Sequence, residues 1–187
     1  KFRILFAGNM GKAQALDSVL EAAKIFQAQD KALIFVFLGG GVEVQRLTQR
    51  AADEGLHNVM FLPPVSMAQV GNYLSSADAL LVHLKKDPLF TITIPSKTQA
   101  YMAVGKPLLM AVDGDAADLV RSSNCGHVAE SESAESLVAA VQALLDASPE
   151  VLSGMADNGR NFYRENLSLS KGTQSFARIF NKLSKQR

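Results

Sequence analysis

Residues 3–26 read RILFAGNMGKAQALDSVLEAAKIF and contain, in order, the features of a strand, a turn and a helix. The first five letters form a short run that is apolar apart from its arginine. Glycines then interrupt the chain, and apolar residues return at helical spacing. That stripe consists of Leu16, Val19, Leu20, Ala23 and Phe26. An apolar run followed by an amphipathic stretch predicts a βα unit with a buried strand.

The same unit recurs along the chain. The further apolar runs are LIFVFL at 33–38, NVMFL at 58–62, ALLVHL at 79–84, PLLMAV at 107–112 and HVAE at 127–130. Continuous runs of this kind suit strands that are buried on both faces of a parallel sheet. With right-handed crossovers, the series predicts an α/β fold, in which helices flank a doubly wound, Rossmann-like sheet of about six parallel strands.

The C-terminal part of the chain has a helical pattern. Helices are predicted over 134–147, from Pro149 onward, and over a last segment with an apolar stripe. That stripe consists of Phe176, Ile179, Phe180 and Leu183. From Arg160 to Arg187 the sequence has seven Lys or Arg and one acid, Glu165. This bias indicates either a solvated helix face or a surface that is attracted to an anionic membrane.

Composition limits the class of protein. Hydrophobic residues make up 48% of the 187 residues, enough for the core of one domain over 1–187. A net charge of +1 argues against a nucleic-acid binder. The single cysteine, Cys125, indicates a buried thiol in a reducing compartment, and no apolar run reaches the roughly 18 residues that span a bilayer. We therefore expect a cytoplasmic protein.

Ligands of open parallel sheets bind at the carboxyl ends of the strands, so the loops after the strands are the candidate sites. In GNMGKAQ (8–14), Gly8 and Gly11 permit a tight turn, and Lys12 offers a positive charge beside the next helix. GGG (39–41) indicates either a strained backbone or a ligand lying against it. Neither loop matches the glycine fingerprint of dinucleotide sites, which disfavours a dehydrogenase.

Two further loops follow later strands. In PPVS (63–66) the prolines stiffen the exit from the third strand, where exposed backbone could contact a nucleobase or could form only a stiff turn. In IPSK, Ser96 is predicted to cap a helix that runs to about Val104. Lys97 then lies in the first turn, where a cation is unfavourable by roughly 0.3–1 kcal/mol. A bound diphosphate would outweigh that cost, since charge-assisted hydrogen bonds contribute about 1.5–3 kcal/mol each.

Other chemistry has little support in the sequence. His83 lies near the end of an apolar strand, as a core histidine or as a ligand contact. The sequence has no Ser-His-Asp set, no paired carboxylates and no metal-ligand spacing. It therefore predicts neither a metal nor a cofactor, and identifies no catalytic residue.

Taken together, FAGNMGKAQALDSVLEAA, ADALLV, IPSKTQAYMAVGKPLLMAV and NGRNFYREN resemble the C-terminal half of a GT-B glycosyltransferase of family 4. The resemblance covers nearly the whole chain. It is closest to bacterial enzymes that build O-antigen and capsule sugars.

The resemblance implies a set of nucleotide-sugar-binding residues. Gly8 and Asn9 would lie against the diphosphate, with Lys12 or Gln14 close to it. Pro64 and Val65 would meet the base. The full set is Gly8, Asn9, Lys12, Gln14, Gly39, Gly40, Pro64, Val65, Ser96, Lys97 and Thr98. Ser96, Lys97 and Thr98 would hold the phosphates through backbone N–H groups and the ammonium.

One departure from the family pattern concerns its two glutamates. They align with Ile92 and Ala100, so both carboxylates are missing, and Asp87 is the nearest acid that could substitute for them. Because the second glutamate typically holds the ribose, recognition of the ribose by this helix is in question.

The resemblance also implies a function for a larger enzyme. We expect a donor-binding domain that takes a nucleoside-diphosphate sugar, with UDP favoured over GDP, and transfers a hexose or N-acetylhexosamine with retention. The expected partners are an N-terminal acceptor domain absent from this chain and a lipid-linked sugar at the inner face of the plasma membrane. The chain alone would be inactive, and 168–187 would form a helix that crosses to the missing domain. Two alternatives are half of a nucleotide-sugar epimerase and a non-catalytic binding domain.

Overall fold

The computed structural model describes residues 1–184 and contains one six-stranded parallel sheet. The strands are β1 (Phe2–Ala7), β2 (Leu33–Leu38), β3 (Val59–Leu62), β4 (Ala79–His83), β5 (Leu108–Ala111) and β6 (Gly126–Ala129). Their order is β3-β2-β1-β4-β5-β6, and every neighbouring pair is parallel. The predicted strands are confirmed, each to within one residue at either end. The doubly wound α/β architecture is confirmed with them.

Helices cover both faces of this sheet. They are α1 (Asp17–Ala28), α2 (Val44–Asp53), α3 (Met67–Ser76), α4 (Pro88–Thr91), α5 (Ser96–Val104), α6 (Asp115–Ser123), α7 (Ala134–Asp146), α8 (Pro149–Phe162) and α9 (Leu169–Ser184). Of these, α1, α2 and α7 lie on one face, and α3, α5 and α6 lie on the other. Within β1, Ile4 and Phe6 belong to one buried cluster with α1, α2 and α7, whereas Leu5 and Ala7 belong to another with α3, α5 and α6. The central strands β1, β4 and β5 are therefore buried on both faces along most of their length, which explains their apolar sequences, whereas Met60 of the edge strand β3 is 44% exposed. Cys125 is buried, as predicted.

The strand order reverses between β1 and β4, and a crevice opens there. β1 pairs with β2 through all six of its residues, but with β4 only at Ile4 and Leu5. The carboxyl ends of β1 and β4 consequently separate. In open α/β sheets this switch point is where ligands bind.

The glycines after β1 and β2 allow the two loops to pack together. Gly39 has φ 143°, and a Cβ there would lie 2.1 Å from the Gly8 carbonyl oxygen. Gly41 has φ 141°, and a Cβ there would lie 2.3 Å from the Met10 oxygen. Two of the three glycines in GGG are thus required by backbone packing. Gly40 is not restricted in this way, and it lies at the crevice.

The C-terminal helices agree with the prediction in position, with two differences. A π-helical turn at Tyr163–Leu167 follows α8, and the last helix begins at Leu169. Earlier in the chain, the short α4 was not predicted. The end of the predicted terminal segment, 185–187, lies outside the described residues. The α9 stripe is exposed, with Phe176 and Phe180 each about two thirds accessible. No helix within 1–184 is long and apolar enough to cross a membrane.

Candidate functional site

The start of α5 presents unpaired backbone donors at the crevice. Ser96 was predicted to be the N-cap, but the structure places Pro95 there, with φ −58° and ψ 135°, and Ser96 is the first helical residue. Proline is favourable at this N-cap because its ring fixes φ near −65°, close to the value that Pro95 adopts. Among the described residues, neither the Ser96 nor the Lys97 amide has a hydrogen-bond acceptor. Free amides at a helix N-terminus form a favourable site for an anion.

Lys97 adds a positive charge beside these amides. Its Nζ lies 3.8 Å from the centroid of the Phe6 ring, and within the described part of the chain no carboxylate lies within ion-pair distance of it. Burial lowers the pKa of Lys97 to about 8. A lysine that is largely removed from water without an acidic partner is costly. The arrangement suits an anionic ligand that would supply the missing charge.

Gly8 allows the Lys97 side chain to take this position. Gly8 has φ 132°, and a Cβ there would lie 3.3 Å from Lys97 Nζ. Any side chain at this position would therefore crowd the ammonium and strain the backbone. At Gly8 the first loop thus brings its backbone close to the Lys97 ammonium and places no side chain there.

Four loops meet around a cavity of about 330 Å³ at this crevice. Six predicted site residues line it, namely Gly8, Gly39, Gly40, Pro64, Val65 and Lys97. The rest of the wall consists mainly of apolar side chains from α3 and of Ala100 and Tyr101 from α5. The lining combines the positively charged Lys97 with a largely apolar wall that includes Pro64 and Val65. A ligand with an anionic tail and a flat, largely apolar body fits this distribution.

Asn9, Lys12 and Gln14 do not line this cavity. Gln14 Oε1 accepts a hydrogen bond from the Gly11 amide at 2.9 Å, so the side chain stabilises its own loop. Lys12 is exposed and borders a separate groove beside Arg46. Asn9 is also exposed. The sequence could locate this loop but not the direction of its side chains.

His83 is a core histidine with both ring nitrogens engaged. Nδ1 lies 2.7 Å from the Gln14 carbonyl oxygen, and Nε2 lies 2.8 Å from Ser18 Oγ. Because a carbonyl can only accept, Nδ1 carries the proton and Nε2 accepts from the serine hydroxyl. Burial lowers the pKa of His83 to about 4, so the ring is neutral at pH 7. Of the two interpretations, the structure favours the structural one, in which His83 ties the first loop to β4.

Thr98 and Asp87 have local roles. Thr98 is fully buried, its amide donates to the Pro95 oxygen at 2.9 Å, and its hydroxyl has no partner among the described residues. Asp87 caps α4 by accepting from the Leu89 amide at 3.0 Å, and it pairs with Lys85. Neither side chain lines the cavity.

The positions of the two missing glutamates differ in their surroundings. Ala100 lines the cavity, whereas Ile92 is 72% exposed. Among residues 1–184, no acidic side chain lines the cavity. Sequence reasoning did not identify Phe6, whose ring contacts Lys97, or Tyr101, which lines the cavity with Lys97. The signal for Tyr101 was its spacing, since residues four apart share one face of a helix.

Comparison with known sequences gives one family. The profile described as "Glycosyl transferases group 1" matches residues 1–162. The chain is similar to the protein named colanic acid biosynthesis glycosyl transferase WcaI of Escherichia coli (strain K12). The two are 34% identical over 146 residues, which are 76% of this chain and 35% of WcaI.

Comparison with solved structures supports the same fold. Sucrose-phosphate synthase of Thermosynechococcus elongatus superposes with a TM-score of 0.82 at 18% identity, over 100% of this chain and 46% of that one. Anabaena Alr3699/HepE, solved in complex with UDP, gives a TM-score of 0.81 at 16% identity, over 97% of this chain and 49% of that one. The chain therefore spans about a third of WcaI and about half of each solved chain.

Proposed function

The chain belongs to the group 1 glycosyl transferases, and on this premise we propose that it is the donor-binding domain of a retaining, family 4 enzyme. The proposed donor is a nucleoside-diphosphate sugar, with UDP favoured over GDP. The enzyme would transfer a hexose or an N-acetylhexosamine during synthesis of a bacterial surface polysaccharide such as O-antigen or capsule.

The observation that carries this proposal is the uncompensated charge of Lys97. Its ammonium is largely buried, and within residues 1–184 it has no carboxylate partner and lies beside two amides without acceptors at the start of α5. A diphosphate offers the double negative charge and the oxygen acceptors that such a site needs. Phosphates placed here would satisfy the ammonium and the amides together.

The rest of the cavity supports a nucleotide. Pro64 and Val65 contribute a stiff apolar part of the lining, against which a base could lie flat. HepE, whose fold the chain shares, was solved with UDP and with UDP-glucose. Transfer of that ligand class to this chain is part of the proposal.

In the proposed mechanism, charge that develops on the leaving diphosphate is stabilised by Lys97 and by the amides of Ser96 and Lys97. Such donors act in a partly dry site and need no rearrangement during the reaction. No catalytic carboxylate is assigned in this chain.

We further propose an N-terminal acceptor domain as the partner of this chain. The support is the share of WcaI that the chain spans and the exposed apolar face of α9. In this arrangement 168–187 crosses to that domain, and the chain alone is inactive. The proposed acceptor is a lipid-linked sugar at the inner face of the plasma membrane.

Calorimetric titration of the 187-residue chain with UDP, GDP and ADP tests the proposal. We expect binding with a preference for UDP, and loss of that binding in Lys97→Ala. Lys31→Ala is the matched control, because Lys31 is exposed in the loop before β2, at the opposite edge of the sheet. Absence of binding to all three nucleotides, or unchanged binding by Lys97→Ala, would refute the donor site.

Two outcomes favour the alternatives. A folded chain that binds no nucleotide would indicate a non-catalytic domain of the same fold. Conversion of the donor sugar to an epimer in the absence of acceptor would indicate an epimerase.

A further inference from the structure

Ala7, the last residue of β1, lies where β1 has lost its neighbour on the β4 side. β1 and β4 pair only at Ile4 and Leu5. The Gly8 amide bonds to Leu38 on the β2 side, so the N–H and C=O of Ala7 point the other way, because successive residues of a strand alternate. Buried groups of this kind need partners.

Tyr101 supplies both partners with one hydroxyl. Its oxygen accepts from the Ala7 amide at 2.9 Å and donates to the Ala7 carbonyl oxygen at 3.1 Å. The side chain is 2% exposed, and both hydrogen bonds are buried. The hydroxyl therefore replaces the missing strand at the switch point and ties α5 to the end of β1.

Lys97 lies one helical turn before Tyr101, about 6 Å along the axis of α5. Its ammonium contacts the Phe6 ring and lies against Gly8. Lys97 contacts Phe6 and Gly8, and Tyr101 contacts Ala7 between them, so one face of α5 meets three consecutive residues at the end of β1. Lys97 and Tyr101 are also the ionisable side chains that line the cavity.

We infer that Tyr101 is a positioning residue for Lys97. By bonding to Ala7, the Tyr101 hydroxyl fixes α5 against β1 and thereby keeps the Lys97 ammonium at the place where the donor diphosphate would bind. The inference rests on the proposed function. Without the hydroxyl, the buried amide and carbonyl of Ala7 would need water or a shift of α5. Either change would loosen the contact of Lys97 with Phe6 and Gly8.

Tyr101→Phe tests this role because it removes the hydroxyl and retains the ring. We expect UDP to bind this variant about tenfold more weakly, or weaker still. Tyr73→Phe on α3 is the matched control, since Tyr73 is partly exposed and its hydroxyl makes no hydrogen bond with the described residues. This variant should bind UDP as the wild type does.

A second readout separates positioning from a merely structural role. The ¹³Cε resonance of Lys97, assigned by its absence in Lys97→Met, is titrated in each variant. Wild type and Tyr73→Phe should titrate near pH 8, and Tyr101→Phe should titrate nearer to 10.5, because the ammonium returns to water. A structural role alone would leave this titration unchanged.

Unchanged UDP affinity or an unchanged Lys97 titration in Tyr101→Phe would overturn the inference. If the wild-type chain binds no UDP, the proposed function fails, and the Lys97 titration alone decides the role of Tyr101. If Tyr101→Phe is too unstable at 25 °C, both measurements are made with an osmolyte that favours the folded state.

Discussion

Replacement of Lys97 by methionine should stabilise the folded chain at neutral pH while it removes the anion site. Methionine keeps an unbranched apolar stem of similar length but has no charge to desolvate. A trade of this kind between stability and function is expected where a site is strained by its own charge.

The magnitude follows from the pKa of Lys97. Burial lowers it from 10.5 to about 8 in the folded state. Between these values the unfolded chain binds more protons, so the stability of the wild type rises as pH rises from 8 to 10.5, and below pH 8 the full penalty is present. The difference of 2.5 between the two pKa values, at about 1.4 kcal/mol for each pKa unit, corresponds to about 3.5 kcal/mol.

The contact of Lys97 with the Phe6 ring reduces this penalty by about 1 kcal/mol. We therefore expect Lys97→Met to raise the free energy of unfolding by about 2–3 kcal/mol at pH 7 and by about 1 kcal/mol at pH 9.5.

Urea denaturation at the two pH values measures both quantities. Lys31→Met, at an exposed position, is the control and should show no gain that depends on pH. A Lys97→Met chain that is less stable than the wild type at pH 7, or a gain that does not shrink at pH 9.5, would refute the reasoning.

Two further predictions concern the first loop and the α1–α2 contact. Gly8→Ala should lower the free energy of unfolding by about 1–2 kcal/mol and weaken UDP binding, because φ 132° is strained for alanine and the new Cβ crowds Lys97. Urea denaturation and UDP titration measure the two effects. Gly71→Ala on α3 is the control, because a Cβ there has no described atom within 4 Å. Arg50 pairs with Glu54, the C-cap of α2, and with Asp17 and Glu21 of α1. Arg50→Ala should therefore lower the free energy of unfolding by about 1–2 kcal/mol in low salt and by less in 1 M NaCl. An equal loss at both salt concentrations would contradict the ionic origin.

The fold followed from the sequence because its signals are local. The apolar runs that became strands can be read from neighbouring residues, and helices such as α1 carry an apolar stripe at helical spacing. The features that were not predicted depend on contacts instead. The short α4 and the π-helical turn at Tyr163–Leu167 have no distinct periodicity of their own, and the choice of Pro95 over Ser96 as the N-cap was decided by backbone geometry.

The candidate site was predicted in part. Gly8, Gly40, Pro64 and Lys97 come together because all four loops follow strands of one parallel sheet, whose carboxyl ends lie at one edge. Gln14 belongs to the same loop as Gly8, but its side chain turns back to the Gly11 amide. Which way a loop side chain points depends on such hydrogen bonds, and the sequence does not show them.

The sequence by itself determined the strands, the flanking helices and the edge of the sheet at which a ligand could bind, because hydrophobic periodicity is read from neighbouring residues. Only the tertiary structure decided that the Lys97 ammonium lies on the Phe6 ring, with no acidic partner in the described part of the chain, and that the Tyr101 hydroxyl holds Ala7. Tyr101 and Ala7 are 94 residues apart in the chain. Burial of a charge and pairing of an orphaned backbone group are properties of such distant contacts, so they arise only when the sheet and α5 have assembled.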